Sequence, residues 1–419
     1  ANADGEDALG ARYRIVGNKM WISAGDHDIC DDIMHLVLAK TTGADGKALP
    51  GAKGISLFVV PKRLPDGASN DIAVAGLNHK MGYRGTSNCL LHFGEGRHLP
   101  AGRAGAIGWR IGAVGEGLAQ MFHMMNEARI HVGLGAAAAA CRAHQLSLDY
   151  ARTRLQGRTA DGQGGIRAAS IIEHADVKRM LLTQRAYAEG SLALTLYAAR
   201  LLDEQLGGSP DAAAGATRLL DLLTPVVKTW PAEHGLAAND LAIQIHGGYG
   251  YARDYDVEQL YRDNRLNAIH EGTTGIQALD LLGRKLLRDR AAALVELARR
   301  VSDTIGACAA DAALAEDARQ LDAIWKRVQQ VVETLLHRDP ADALGRATPL
   351  LSAFGHAVVA WLWLDMARRC TRATPFDRSK RTTAAWFFET ELPRIEVWLD
   401  QAVSRHDLFD RAPNDLFPE

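Results

Sequence analysis

The sequence predicts an α+β chain: a small antiparallel β-domain, then an antiparallel four-helix bundle, then an additional C-terminal helical domain. Short alternating runs broken by Gly- and Pro-rich turns occupy the chain up to about residue 100. Long segments with helical periodicity take over from about residue 110, and a further Trp-containing helical stretch follows residue 290. With 419 residues the chain can support two or three packed units, drawn here at 1–108, 109–290 and 291–419.

In the first part, Arg12–Val16, Lys19–Ser23, Ile33–Lys40, Gly54–Val60 and Cys89–Phe93 read as strands. Turns such as Ala44–Pro50 and Pro65–Asn70 separate them, which predicts a small sandwich or barrel-like sheet. Residues 1–10 are polar and Gly-containing. Met121, Met124, Met125, Ile130 and Leu134, with the Ala-rich stretch through Ala140, form one long helix ending near Arg152. Gly157–Gly165 reads as a loop, and helices follow at Ile172–Leu206, Leu219–Ile245 and Thr274–Arg290, with Gly207–Gly215 as a polar joint. Four long helices with short joints make an antiparallel bundle. Beyond residue 291, Trp325, Trp361, Trp363 and Trp398 sit among apolar neighbours, which points to packing or assembly; the tail after Asp407 reads as a surface extension.

Composition excludes several functions. The charges nearly balance, 48 basic against 50 acidic, unlike a nucleic-acid binder or a polybasic membrane-surface protein. No run approaches the roughly 18 apolar residues of a membrane span. The five cysteines are scattered and never form a C-x-x-C pair, so neither a disulfide framework nor a metal site is expected, and a reduced cytoplasmic compartment is the simplest reading. No Gly-x-Gly-x-x-Gly follows a strand, so there is no sign of a Rossmann dinucleotide site.

Chemistry concentrates in three segments: Gln244-Ile-His-Gly-Gly-Tyr-Gly-Tyr251, Val257-Glu-Gln-Leu-Tyr-Arg-Asp263 and Ile269-His-Glu-Gly-Thr-Thr-Gly-Ile-Gln277. Gly247, Gly248 and Gly250 would end a helix in a turn that a ligand can approach closely, or serve only as that turn. Glu271 precedes Thr273 and Thr274, either of which could cap the next helix, whose apolar positions are Ile276, Leu279, Leu282 and Leu286. A carboxylate beside a helix start is favoured as the anion, while burial works against it. That balance suits a general base, although the residues alone equally allow a plain helix-start acid.

In order and spacing, these segments resemble the C-terminal signature of the acyl-CoA dehydrogenase family, and the similarity extends over roughly residues 11–290. The resemblance implies FAD as cofactor, an acyl-CoA substrate, and Glu271 as the base that removes the α-proton while hydride passes to flavin N5. Gly17-Asn-Lys-Met-Trp-Ile-Ser23 is similar to the segment lining the flavin, which implies Trp21 against the ring and Ser23 near its reactive edge. Asn126 and Arg129 fall on the family's first C-terminal helix near substrate, with His270 and Gly272 beside it. Some members place their base just before that arginine; Ala128 stands there, which leaves Glu271. By the same resemblance Arg154 reaches the FAD pyrophosphate of a neighbouring subunit, Gln244, Gly247 and Gly248 contact its adenosine half, and Thr273 faces the subunit's own flavin. A shared cofactor implies a homodimer or dimer of dimers, with electron-transferring flavoprotein as the acceptor.

The sequence departs from the pattern at several points. Gly157 follows Gln156 where many members have Phe-Gly, His270 replaces a Tyr, Gly275 replaces a cofactor-bonding side chain, and Gln259 stands where a basic residue is usual. The family's N-terminal helical domain has no counterpart, so a fragment of a longer product is expected, with Ala1 inside the middle domain. The segment after residue 290 resembles the extra domain of a larger branch that includes 3-methylmercaptopropionyl-CoA dehydrogenases, as does Leu223-Thr-Pro-Val-Val-Lys-Thr-Trp230. An acyl-CoA oxidase using oxygen and a non-catalytic scaffold are the alternative functions.

Overall fold

The computed structural model describes residues 1–43, 45–160, 165–288, 292–404 and 413–417. It divides into two compact units, Ala1–Glu127 and Ala128–Glu419.

The first unit contains eight strands: β1 (Asn2–Asp7), β2 (Gly10–Ile15), β3 (Gly17–Ser23), β4 (Met34–Lys40), β5 (Ile55–Pro61), β6 (Ile72–Leu77), β7 (Asn88–Phe93) and β8 (Ala106–Ile111). They form a five-stranded sheet, β1-β2-β8-β5-β4, and a three-stranded sheet, β3-β7-β6, antiparallel throughout. Tyr13, Ile15, Val37, Phe58 and Val60 from the larger sheet share one core with Leu91 and Phe93 from the smaller, which makes a sandwich. All five strands expected from alternation are present. β1 was passed over because its residues are polar on both faces; backbone pairing with β2 and an Arg14–Asp4 ion pair at 3.1 Å form it instead.

The second unit is helical. α1 (Gly117–Thr153) runs into it from the first unit, then come α2 (Ala175–Gly207), α3 (Pro210–His246), α4 (Val257–Asn264) and α5 (Thr274–Leu279). The region expected to be a loop, Gly157–Gly165, is strand over its first four residues: β9 (Leu155–Ala160) pairs with β10 (Ile166–Ser170), and residues 161–164 lie outside the described set. The expected joint at Gly207–Gly215 shrinks to two residues, because Pro210 opens α3 at a position where a missing N–H costs nothing. Within α3, Pro231 removes the N–H that would bond the Val227 carbonyl. That carbonyl faces Gly133 of α1 so closely that a Cβ there would lie 2.1 Å from it.

After α5 the chain continues in a π-helical run, Asp280–Leu287. Of the four apolar positions spaced along this segment, Leu282 and Leu286 are buried, together with Leu281, whereas Ile276 and Leu279, on α5 before the run, are 52% and 43% exposed.

The C-terminal part adds α6 (Ala292–Cys308), α7 (Ala315–Leu336), α8 (Pro340–Leu344), α9 (Ala347–Arg369), α10 (Pro375–Thr390) and α11 (Arg394–Val403). Its core is continuous with that of α2 and α3: Trp230, Leu194 and Leu222 belong to the same buried cluster as Trp325, Phe354 and Trp363. Among the described residues one helix, α9, has the length and composition of a membrane span, but most of it is buried within the protein, where it serves as a core helix.

Candidate active site

Two constructions in the second unit carry most of the expected site residues. The first lies where α3 ends. Gly247 adopts φ +61 and ψ −137, a conformation that stops the helix and that side chains disfavour. A single 3₁₀ turn, Gly247–Tyr251, follows. A Cβ on Gly247 or Gly248 would meet nothing within 4 Å, so this backbone is open to a ligand. Arg154, just past α1, lays its guanidinium over the Tyr249 ring at 5.4 Å. Tyr150 stacks on His246 with centroids 4.3 Å apart. Arg154, Gln244, Gly247, Gly248, Tyr150 and Tyr249 all line one pocket of about 960 Å³. A fixed cation, open backbone and flat aromatic faces form a donor set suited to a phosphorylated ligand with a planar ring.

Gly157, which stands in place of the family's Phe-Gly, also lines this pocket. It has φ +78 and lies against His174, whose imidazole bonds the Gln156 carbonyl at 2.8 Å.

The second construction is the loop before α5. Glu271 has φ +53 and Gly272 φ +93, two successive left-handed residues, one of them carrying a side chain. Such a backbone persists only when its surroundings hold it. Gln277 Nε2 donates to the Glu271 carbonyl at 2.9 Å, and Lys228 Nζ donates to the Gly272 carbonyl at 2.7 Å. Thr274 Oγ1 donates to the Glu233 carboxylate. Thr273 takes the N-cap position but makes no side-chain cap bond, so neither threonine caps α5 as the sequence allowed. Glu271 and His270 are half-buried. Burial lowers the His270 pKa, and the charge of Lys228 lowers it further, which keeps the ring neutral.

Arg129 is 4% exposed and donates to Asp280 at 2.8 Å, so it is a buried ion-paired residue and not a surface charge. Asn126 is half-buried one turn earlier on α1. Trp21 and Ser23 lie on β3 of the first unit. Trp21, at φ +64 where the β3–β7 register slips, is 68% exposed; Ser23 Oγ accepts from Asn88 at 3.2 Å.

Sequence reasoning missed Lys228, Glu233 and Gln277 as parts of the Glu271 loop. A signal existed for the first: Lys228 is the single charge in an apolar helix segment, Leu222–Trp230, and it is 0% exposed. Nothing in the sequence says what its amine meets.

A family model described as acyl-CoA dehydrogenase, C-terminal domain, matches residues 115–287, and one described as acetyl-CoA dehydrogenase C-terminal like matches 297–409. The broad-specificity linear acyl-CoA dehydrogenase FadE5 of Mycobacterium tuberculosis is 36% identical, over 96% of this chain and 68% of its own length. The chain belongs to the acyl-CoA dehydrogenase family. The 3-methylmercaptopropionyl-CoA dehydrogenase of Ruegeria pomeroyi is 37% identical over 83% of this chain and 58% of its own. The structure of Caenorhabditis elegans ACDH-11 in complex with C11-CoA shares 25% identity and a TM-score of 0.78, covering 95% of this chain and 64% of that one. This chain thus spans between about half and two thirds of its relatives' length, and the extra C-terminal domain expected from the sequence is part of it.

Proposed function

We propose that the protein dehydrogenates an acyl-CoA thioester to a trans-2-enoyl-CoA, with Glu271 as the base. The observation that carries this is the left-handed backbone at Glu271, braced on both neighbouring carbonyls, which aims one carboxylate from the start of α5. Glu271 takes the α-proton at its carboxylate, and the backbone N–H of the same residue polarises the thioester carbonyl. FAD, when bound, supplies the hydride acceptor. The pocket beside Gly247 suits its adenosine diphosphate half: Arg154 would pair with phosphate, and Gln244 and the Gly247–Gly248 backbone would meet the adenosine, beside the Tyr150 and Tyr249 rings. Trp21 and Ser23 would face the flavin from β3. Thr273, with no cap bond to make, is available to the cofactor as well.

Asn126, His270 and Gly272 would line the acyl-CoA path. Arg129, with its charge committed to Asp280, shapes that path from behind. If Arg154 serves a neighbouring subunit's cofactor, the assembly is a homodimer or dimer of dimers, and electrons leave to an electron-transferring flavoprotein.

The test is an anaerobic titration of the full-length protein with a panel of acyl-CoAs, followed in the visible spectrum. Flavin bleaching by one class of thioester, lost in Glu271→Gln with FAD still bound, is the expected result. Normal bleaching in that variant would overturn the assignment of the base. Peroxide formed in air in step with thioester consumption would identify an oxidase, and colourless protein that takes up no FAD a scaffold.

A further inference from the structure

Lys228 is fully buried in the middle of α3, flanked by Val226, Val227, Thr229 and Trp230, all buried as well. An ammonium in such a place is costly unless its donors and charge are used. Here they are used on one short segment. Its Nζ donates to the Gly272 carbonyl at 2.7 Å, while Gln277, from the opposite side on α5, donates to the Glu271 carbonyl at 2.9 Å. One turn further along α3, Glu233 accepts from Thr274 Oγ1. The peptide that carries Glu271 is therefore clamped between α3 and α5, and two of its three anchors come from α3.

We propose that Lys228 is a positioning residue for the base: by holding the Gly272 carbonyl it fixes the Glu271–Gly272 peptide in its left-handed conformation. The proposal rests on the reading of Glu271 as the base. Lys228 faces charge from every side: Glu233 on its own helix, Arg129 on α1, and Glu271 and His270 on the loop. Burial is the largest influence and lowers its pKa to about 8, with Glu233 and Glu271 acting in the opposite direction, so the amine is still mainly protonated at neutral pH. A left-handed peptide released from one clamp can relax towards ordinary φ, which moves the carboxylate and its own N–H away from the reacting carbon and carbonyl together.

The test is Lys228→Met in the FAD-loaded full-length enzyme, an apolar replacement of similar length. Retained FAD, KM little changed and kcat reduced by at least about tenfold are expected, because misplacement of a reacting group acts on the chemical step. Lys228→Gln, which restores a donor to the Gly272 carbonyl, should recover part of kcat with KM still unchanged, and it serves in place of the Met variant if that fails to fold. Wild-type kcat in the Met variant, or a loss of kcat that Gln does not recover at all, would overturn the positioning role alone. Failure of the wild type to bleach with any thioester, or unimpaired bleaching in Glu271→Gln, would instead overturn the reading on which it rests.

Discussion

Arg129 and Asp280 form a buried ion pair, with Nη1 2.8 Å from Oδ2 and side chains only 5% and 6% exposed. It ties α1 to the π-helical run that follows α5, within a few residues of the Glu271 loop. Removing one partner strands a buried charge. Arg129→Met is therefore expected to lower stability by about 3–5 kcal/mol, and the double variant Arg129→Met/Asp280→Leu by much less. Denaturant midpoints of the two proteins measure the difference; equal losses would show that the pair is not coupled.

Gly133 lets α1 approach the carbonyl that Pro231 leaves free on α3. A methyl group at position 133 would lie 2.1 Å from the Val227 oxygen, so the helices must part. Gly133→Ala should cost about 1–3 kcal/mol despite its gain in helix propensity. Gly135, with nothing within 4 Å of its Cβ position, is the control: Gly135→Ala should stabilise, read as a higher thermal midpoint.

Arg154 supplies the fixed cation of the pocket beside Gly247. A guanidinium–phosphate contact of the charge-assisted kind contributes about 1.5–3 kcal/mol, so Arg154→Met should weaken FAD affinity by about 10- to 100-fold. Titration of the apoprotein with FAD, followed by quenching of flavin fluorescence, measures this. Unchanged affinity would move the pyrophosphate site elsewhere.

His234 stacks on Trp230 at 4.3 Å in a closed cluster with Tyr187, His356 and Glu391. Burial drives its pKa from 6.5 down to about 3, so the folded state holds it neutral. Between those values the unfolded chain binds the extra proton. Stability is then fully present above pH 6.5 and falls by up to about 1.4 kcal/mol per pH unit as the pH drops towards 3. Glu391, whose pKa is lowered by His356, Tyr187 and Arg394 against its burial, loses stability in the same acid direction once the pH falls below its ordinary range. Thermal midpoints between pH 4 and 8 should show a shallower acid decline in His234→Phe than in the wild type; parallel curves would place the sensitivity elsewhere.

Much of the fold could be read in the chain, and the misses have physical causes. Alternation located Cys89–Phe93 because one face of that strand is buried, whereas β1 has no apolar face and exists by pairing with β2. The loop expected at Gly157–Gly165 is partly β9, six residues of which five are exposed, so no hydrophobic period marked it. At the site, the glycines at 247 and 248 were legible because their chemistry is local to the backbone.

The sequence by itself determined where α3 stops, where α5 starts, which acid stands just before that helix, and which family the chain resembles. These are short-range properties, set by φ/ψ preference and by residue order. Only the tertiary structure decided that Arg154 and Gln244 share a pocket, that Arg129 is neutralised by Asp280, and that Lys228 reaches the carbonyl next to Glu271. Each of those contacts joins residues far apart in the chain, and a lysine's reach or an arginine's partner depends on how helices pack, which no local preference encodes.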